Sequence, residues 1–221
     1  MDWQALLLSA ELATATLCVL LPVALWMARW LAHARFTGKA WVEAAVVLPL
    51  VLPPTVLGYY LLVLVGGQSV LGQWAAQVLG VQLAFSFWGL LLASVVFNVP
   101  FMVQPMQRAF ESIPRPLIEA CQVSGLSAWQ TFWRVELPLA WPGVVSACVL
   151  TFVHTLGEFG VVLMVGGSIP GETRTIAISI YDKVQGFDLA AANQMALLLL
   201  VLSLLAVAAS FFASARLGSK R

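Results

Sequence analysis

Charge is scarce in this chain. Asp, Glu, Lys and Arg make up 10% of its 221 residues, against about 25% in an ordinary soluble domain. Apolar residues reach 61% and the mean hydropathy is +0.94. A core of this size cannot hide so much apolar surface, so a bilayer must be the solvent for most of it. Cysteine is scarcer still. Cys18, Cys121 and Cys148 are an odd number, which excludes a complete disulfide framework, and no spacing among them suits a metal; they read as small apolar fillers. Histidine is limited to His33 and His154. His154 and Glu158 stand four apart, a spacing that one helix face can bring together, but a zinc site needs a third ligand and His33 lies in a separate linker. No His-Glu-x-x-His run and no nucleophile–base set is present, which argues against an intramembrane enzyme. Gly38-Lys39 is followed by Ala40 and lacks the glycine five positions earlier that a phosphate-cradling Walker A loop needs. The chain itself is therefore expected to bind no ATP, metal or other cofactor. A basic n-region is missing too: Asp2 and Glu11 flank the first apolar run, which reads as a retained span rather than a cleaved signal.

What the chain does have is five segments long enough to cross, each needing roughly 20 apolar residues. They are placed at about 12–30, 44–65, 87–106, 142–165 and 191–212. Basic residues choose the sides. The linker after the first span holds Arg29, Arg35 and Lys39, the loop after the third holds Arg108, Arg115 and Arg134, and the tail holds Arg216, Lys220 and Arg221. Only Arg174 and Lys183 fall on the other side. The positive-inside rule then puts the N-terminus outside the cytoplasm and the C-terminus inside. Of the two outer loops, the one at about 66–86 carries no charge and reads as a surface resting on the membrane or on a partner. The other, from 166 to about 189, contains Gly166-Gly167-Ser168-Ile169-Pro170-Gly171, a run of turn signals before a short helical stretch.

The cytoplasmic loop at about 110–140 is the most informative part of the sequence. Pro114 and Pro116 end the preceding helix and favour a new one from Leu117. Gly125 supplies a turn, and a second helix is expected from Ser127 to Leu137, stopped by Pro138 and Pro142. Small residues at Ala120 and Cys121 let a partner approach the backbone. Leu117, Ile118, Val123 and Leu126 offer apolar contacts, while Phe132 and Trp133 can pack the second helix against the ends of the spans. Such a helix–turn–helix either docks a partner or merely joins two spans along the membrane surface.

The run Glu119-Ala120-Cys121-Gln122-Val123-Ser124-Gly125, closing on Val135-Glu136-Leu137-Pro138, resembles the EAA motif of bacterial ABC importer permeases. Glu119, Ala120, Gly125, Val135, Leu137 and Pro138 match its pattern, and Cys121 departs from it by replacing an alanine. The resemblance implies an all-α membrane protein of the type I importer permease fold, a single transmembrane domain over 1–221 with five spans and a short cytoplasmic coupling helix. It further implies a place for this chain in the bacterial inner membrane, with a second copy of the chain, a separate cytoplasmic ATPase dimer that holds the ATP and Mg, and an extracytoplasmic substrate-binding protein as partners. Nothing in the sequence points to nucleic acid. Leu48-Pro49-Leu50-Val51-Leu52-Pro53-Pro54-Thr55, Leu156-Gly157-Glu158-Phe159-Gly160 and Ile169-Pro170-Gly171-Glu172-Thr173-Arg174-Thr175 extend the likeness to molybdate permeases. The last stretch is shared in part with sulfate and tungstate permeases.

No Lys or Arg falls in the interior of an expected span, so an oxyanion would meet a polar, low-affinity path. Thr55, Asn98, Thr151, His154 and Thr155 are its candidates, although Ser and Thr in spans serve helix–helix hydrogen bonding as often. Pro53 and Pro54 are expected to kink the second span and to shape a gate beside Thr55; a packing kink is the plainer reading. An ionised Glu158 facing the path would repel a dianion by roughly 4 kcal/mol at about 8 Å in an effective dielectric near 20. Glu158 is therefore expected to face away as a hydrogen-bonded structural group, with Arg174 as a partner. A secondary transporter would show internal repeats and ions within its spans, and five spans do not divide into equal halves.

Overall fold

The computed structural model describes residues 1–218, with side chains to residue 212. The tail residues Arg216, Lys220 and Arg221 counted above lie outside the described side chains. The described residues form helices and connecting turns only.

Four helices are long and apolar enough to cross a membrane. The first, α1 (Trp3–His33), starts where the Asp2 side chain accepts the Ala5 N–H at 3.0 Å. An acidic cap of this kind satisfies a donor that the first turn leaves free. It is followed by α2 (Lys39–Val51), α3 (Pro54–Val65) and a short α4 (Val70–Trp74) that continues through a wide π-turn, Ala75–Leu79. Val70, Trp74, Val78 and Leu79 leave this charge-free segment with an exposed apolar face.

α2 and α3 correct the expected second span. A single kinked helix over 44–65 is not what forms: the two helices are separate and bent by 107°. Each residue that precedes a proline is pushed out of the helical region by the ring that follows. Leu52 precedes Pro53 and Pro53 precedes Pro54, so both adopt extended backbone, at ψ 140° and 134°. Two such residues in a row turn a kink into a break.

Next come α5 (Phe87–Glu111), α6 (Arg115–Val123) and α7 (Ala128–Thr131), the last passing through the π-turn Phe132–Glu136 into α8 (Leu137–Gly157). The chain then forms α9 (Gly160–Gly166), α10 (Ile176–Gln185) and α11 (Leu189–Gly218). α1, α5 and α8 pack as a central trio whose fully buried positions include Ala24, Ala28, Ala140 and Ala147. In lipid there is little hydrophobic gain between helices, so close approach through small residues does the work. Gly143 sits directly against Ala109 for this reason. α3 and α9 also approach closely: a Cβ on Gly58 would come to 2.8 Å from Met164, and one on Gly160 to 2.7 Å from Pro54. α11 covers this core on one side and leaves Leu197, Leu200, Leu204 and Leu205 facing outward.

Candidate functional site

The segment 114–138 stands at the end of the bundle where α1 and α5 finish. Pro114 and Pro116 open α6, as proline's fixed φ suits a first turn. Gly125 closes it with φ +80°, and the Leu126 N–H reaches back to the Cys121 carbonyl at 3.1 Å. That left-handed residue and its six-to-one bond are the usual way a helix is stopped sharply. Ser127 and Gln130 then start α7 with reciprocal cap bonds of 3.2 and 2.9 Å.

The second helix of this hairpin differs from expectation. Pro138 and Pro142 do not stop it; α7, the π-turn and α8 run on as one helical stretch, Ala128–Gly157. The π-turn explains this. The Leu137 N–H bonds to the Phe132 carbonyl, five residues back, and the widened turn restarts the helix so that Pro138 takes a first-turn position, where a missing N–H is tolerated.

Glu119, Ala120 and Gly125 are exposed, as are Pro138 and Val123, while Leu137 is half-buried. Cys121 turns the other way and is buried under α6; it does not offer the open surface expected of it. Ile118 and Phe132 pack inward against the α1–α5–α8 core, and Trp133 stays half-exposed beside Trp129.

The residue that sequence reasoning missed is Glu136. Its side chain is 1% exposed, and Arg29 of α1 donates to it twice, Nε to Oε2 at 2.6 Å and Nη2 to Oε1 at 3.0 Å. His33 Nε2 lies 3.5 Å from the same carboxylate, and the Arg29 guanidinium sits 5.4 Å over the Phe132 ring. A bidentate fork with a stacked aromatic is the geometry in which arginine cannot be replaced by lysine. It joins the end of α1 to the π-turn at the start of α8, across 107 residues of sequence. One hint was available: Glu136 is a lone acid at the edge of an apolar span, and such a group needs a partner.

Deeper in the bundle, the polar span residues are knitted to one another. Asn98 Nδ2 donates to the Ser94 carbonyl at 2.8 Å and to Thr155 Oγ1 at 3.1 Å, and its Oδ1 lies 3.2 Å from His154 Nδ1. Thr155 Oγ1 donates in turn to the Thr151 carbonyl, and Thr16 of α1 donates to Ser94. The His154 ring is stacked with Phe101 at 3.8 Å and with Phe97 at 4.8 Å. Asn98, Thr151 and Thr155 are fully buried, so within one copy they act as cross-helix hydrogen-bonding groups between α1, α5 and α8. Pro53, Pro54 and Thr55 are exposed at the break and are thus the candidates left facing open space.

At the far end of α8, Glu158 is buried and accepts the Val161 N–H at 2.9 Å, with Gly160 as a further backbone donor. Arg174 is not its partner. Arg174 donates to Ser168 Oγ at 3.0 Å and pairs with Asp182 at 3.5 Å, while Ser168 donates to Asp182. The start of α9 captures Glu158 first, because a carboxylate one turn before free N–H groups finds donors locally.

The model of the family described as "binding-protein-dependent transport system inner membrane component" matches residues 21–220. The chain belongs to that family. This inner-membrane transport component is 48% identical over 196 residues to the molybdenum transport system permease protein ModB of Azotobacter vinelandii, covering 88% of this chain and 86% of that one. It is 38% identical over 184 residues to ModB of Escherichia coli K12, covering 83% and 80%. The E. coli K12 sulfate transport system permease protein CysT is 33% identical over 181 residues, 82% of this chain but 65% of that one. Among solved structures, a bacterial ABC transporter involved in alginate import superposes with a TM-score of 0.77 at 19% identity, covering 96% of this chain and 78% of that chain. The MetNI methionine ABC transporter in an inward-facing form gives 0.67 at 20%, covering 98% and 94%. At such identities the structural likeness speaks to the fold, which is that of the type I importer permeases. As a member of this family the chain is a multi-pass transport subunit of the inner membrane, not an enzyme.

Proposed function

We propose that this chain is the membrane-spanning subunit of an ATP-driven molybdate importer, with α6 as its seat for a separate ATPase. The observation that carries the substrate is the 48% identity to a molybdenum permease over 88% of the chain. The sulfate relative is less similar and only 65% of its length is covered, which favours molybdate over sulfate. Two copies around a common axis would form the path, since one copy seals its own polar span residues. The apolar outer face of α11 and the exposed break at Pro53-Pro54 are surfaces that a second copy or lipid would cover. ATP and Mg belong on the cytoplasmic partner, and an extracytoplasmic binding protein would deliver the anion. This requires α6 and the C-terminus to face the cytoplasm and the N-terminus to face outward, as the arginine and lysine distribution supports.

The helix geometry suits coupling. A push on α6 passes through the Gly125 turn into α7 and along one helical stretch to Gly157, so it reaches the membrane interior without a flexible joint. The Arg29–Glu136 fork makes α1 follow. α3, clasped to α9 by Gly58 and Gly160, begins at the break, where Thr55 and freed backbone carbonyls stand at membrane depth. Non-helical backbone is tolerated at that depth only when buried in protein or wetted, which fits a gate. Replacing Pro53 and Pro54 together by alanine is expected to straighten the break and to cut uptake severely while leaving the complex assembled. Unchanged uptake would remove the gate from this account.

Cells that depend on this chain for uptake of labelled molybdate test the substrate directly. Tungstate is expected to compete and a large excess of sulfate to have little effect. Equal competition by sulfate would transfer the assignment to sulfate.

A further inference from the structure

Two cavities meet where α1 approaches the coupling segment. One, of about 690 Å³, is polar and is lined by Arg29, Arg35, Arg115, His33 and Thr131. The other, of about 610 Å³, is an apolar groove lined by Pro22, Leu25, Trp129, Phe132 and Trp133. Trp26, Arg29 and Ala128 line both, so the two form one continuous cleft with a charged end and a greasy end. We propose that this cleft holds one anionic phospholipid, its phosphate among the arginines and an acyl chain in the aromatic groove.

The charges carry the first half. Glu119 and Glu136 also line the polar end, so three arginines face two carboxylates. Arg29 is committed to Glu136, but Arg35 and Arg115 form no ion pair or side-chain hydrogen bond among the described residues. Thr131, also in the lining, keeps a fully buried hydroxyl with no partner. Two unmatched guanidinium groups and an unused hydroxyl at the end of a span suit a phosphate. Depth carries the second half. Pro22 lies seven residues before Arg29 on α1, roughly 10 Å toward the bilayer centre at 1.5 Å per residue. A water-soluble partner cannot reach that far into hydrocarbon, whereas an acyl chain is already there. Trp26 and Trp30 at this level mark the interfacial belt in which headgroups sit. The lipid would bind beside the Arg29–Glu136 fork, where it would brace α1 against the coupling hairpin. This inference goes beyond the transport reading and rests only on the chain spanning a membrane, not on which anion it carries.

Native mass spectrometry of the detergent-purified complex, titrated with phosphatidylglycerol, phosphatidylcholine of the same acyl chains, or inorganic phosphate, tests it. One phosphatidylglycerol is expected to bind roughly 30-fold more tightly than phosphatidylcholine, as two basic residues near a headgroup would give. Arg35→Gln with Arg115→Gln is expected to remove most of that preference. Both arginines are exposed and unpaired, so the fold should tolerate the change. Ala128→Trp, which plugs the throat between the two cavities, is expected to lower affinity for both lipids with the arginines intact. Equal affinity for the two lipids, or retention of the preference by the arginine double variant, overturns the proposal. So does displacement of the lipid by millimolar phosphate, which would make this a free-anion site. Lipid bound only when the ATPase is stripped away would make the cleft a protein-docking surface instead.

Discussion

Glu136→Ala is expected to destabilise the folded chain by about 3 kcal/mol, the low end of what removing one partner of a buried ion pair costs. The low end applies because the Arg29 side chain is 33% exposed and can turn its head toward water once its partner is lost. The carboxylate itself is almost fully buried, accepts both donors of the fork, and has His33 within 3.5 Å. Thermal unfolding of the purified protein, followed with its nine tryptophans, should show the loss. The double change Arg29→Met with Glu136→Leu is expected to recover most of the stability, since well-packed apolar pairs often equal a buried ion pair. It should not recover full uptake if the fork transmits motion from the coupling hairpin to α1. A double variant that transports like the unmodified protein would reduce the fork to a structural tie.

Glu119→Arg is expected to do the opposite: to leave stability alone and to break the complex. Glu119 is exposed on α6 and no described side chain bonds to it, so the folded chain should change by less than about 0.5 kcal/mol. At an interface, a central charged contact is worth about 2 kcal/mol or more, roughly 30-fold in affinity, and reversing the sign adds repulsion. The amount of untagged ATPase that copurifies with the tagged chain should fall accordingly, with uptake falling in step. Full retention of the ATPase by this variant would move the docking surface away from α6.

Much of this was legible in the residues. The long apolar runs marked four of the spans because length and hydropathy alone decide what can cross, but the fourth runs over Ala128–Gly157 and breaks at Glu158 instead of covering 142–165. The hairpin around Gly125 was legible because glycine and the paired prolines punctuate the backbone locally. What was hidden depended on effects that single positions do not announce. Pro53-Pro54 announced a bend, but the 107° break needs two successive pre-proline residues to act together. Pro138 announced a helix end, and only the π-turn at Phe132–Glu136 shows why the helix passes through it. The Arg29–Glu136 fork joins residues 107 apart, and a charge count that assigns arginines to one side of a membrane says nothing of which acid they meet. Glu158 and Arg174 looked like partners by proximity in the chain. The nearer backbone donors of Val161 and Gly160, and the nearer acid Asp182, won instead.

This chain is expected to move molybdate only when a separate ATPase works through the 114–138 segment. Proteoliposomes holding the chain, its copurifying ATPase and the cognate binding protein measure this most directly. Molybdate is expected to accumulate inside only when ATP is supplied to the side on which α6 lies, and Glu119→Arg is expected to abolish it. Accumulation without ATP, or undiminished accumulation when the ATPase is omitted, would contradict it.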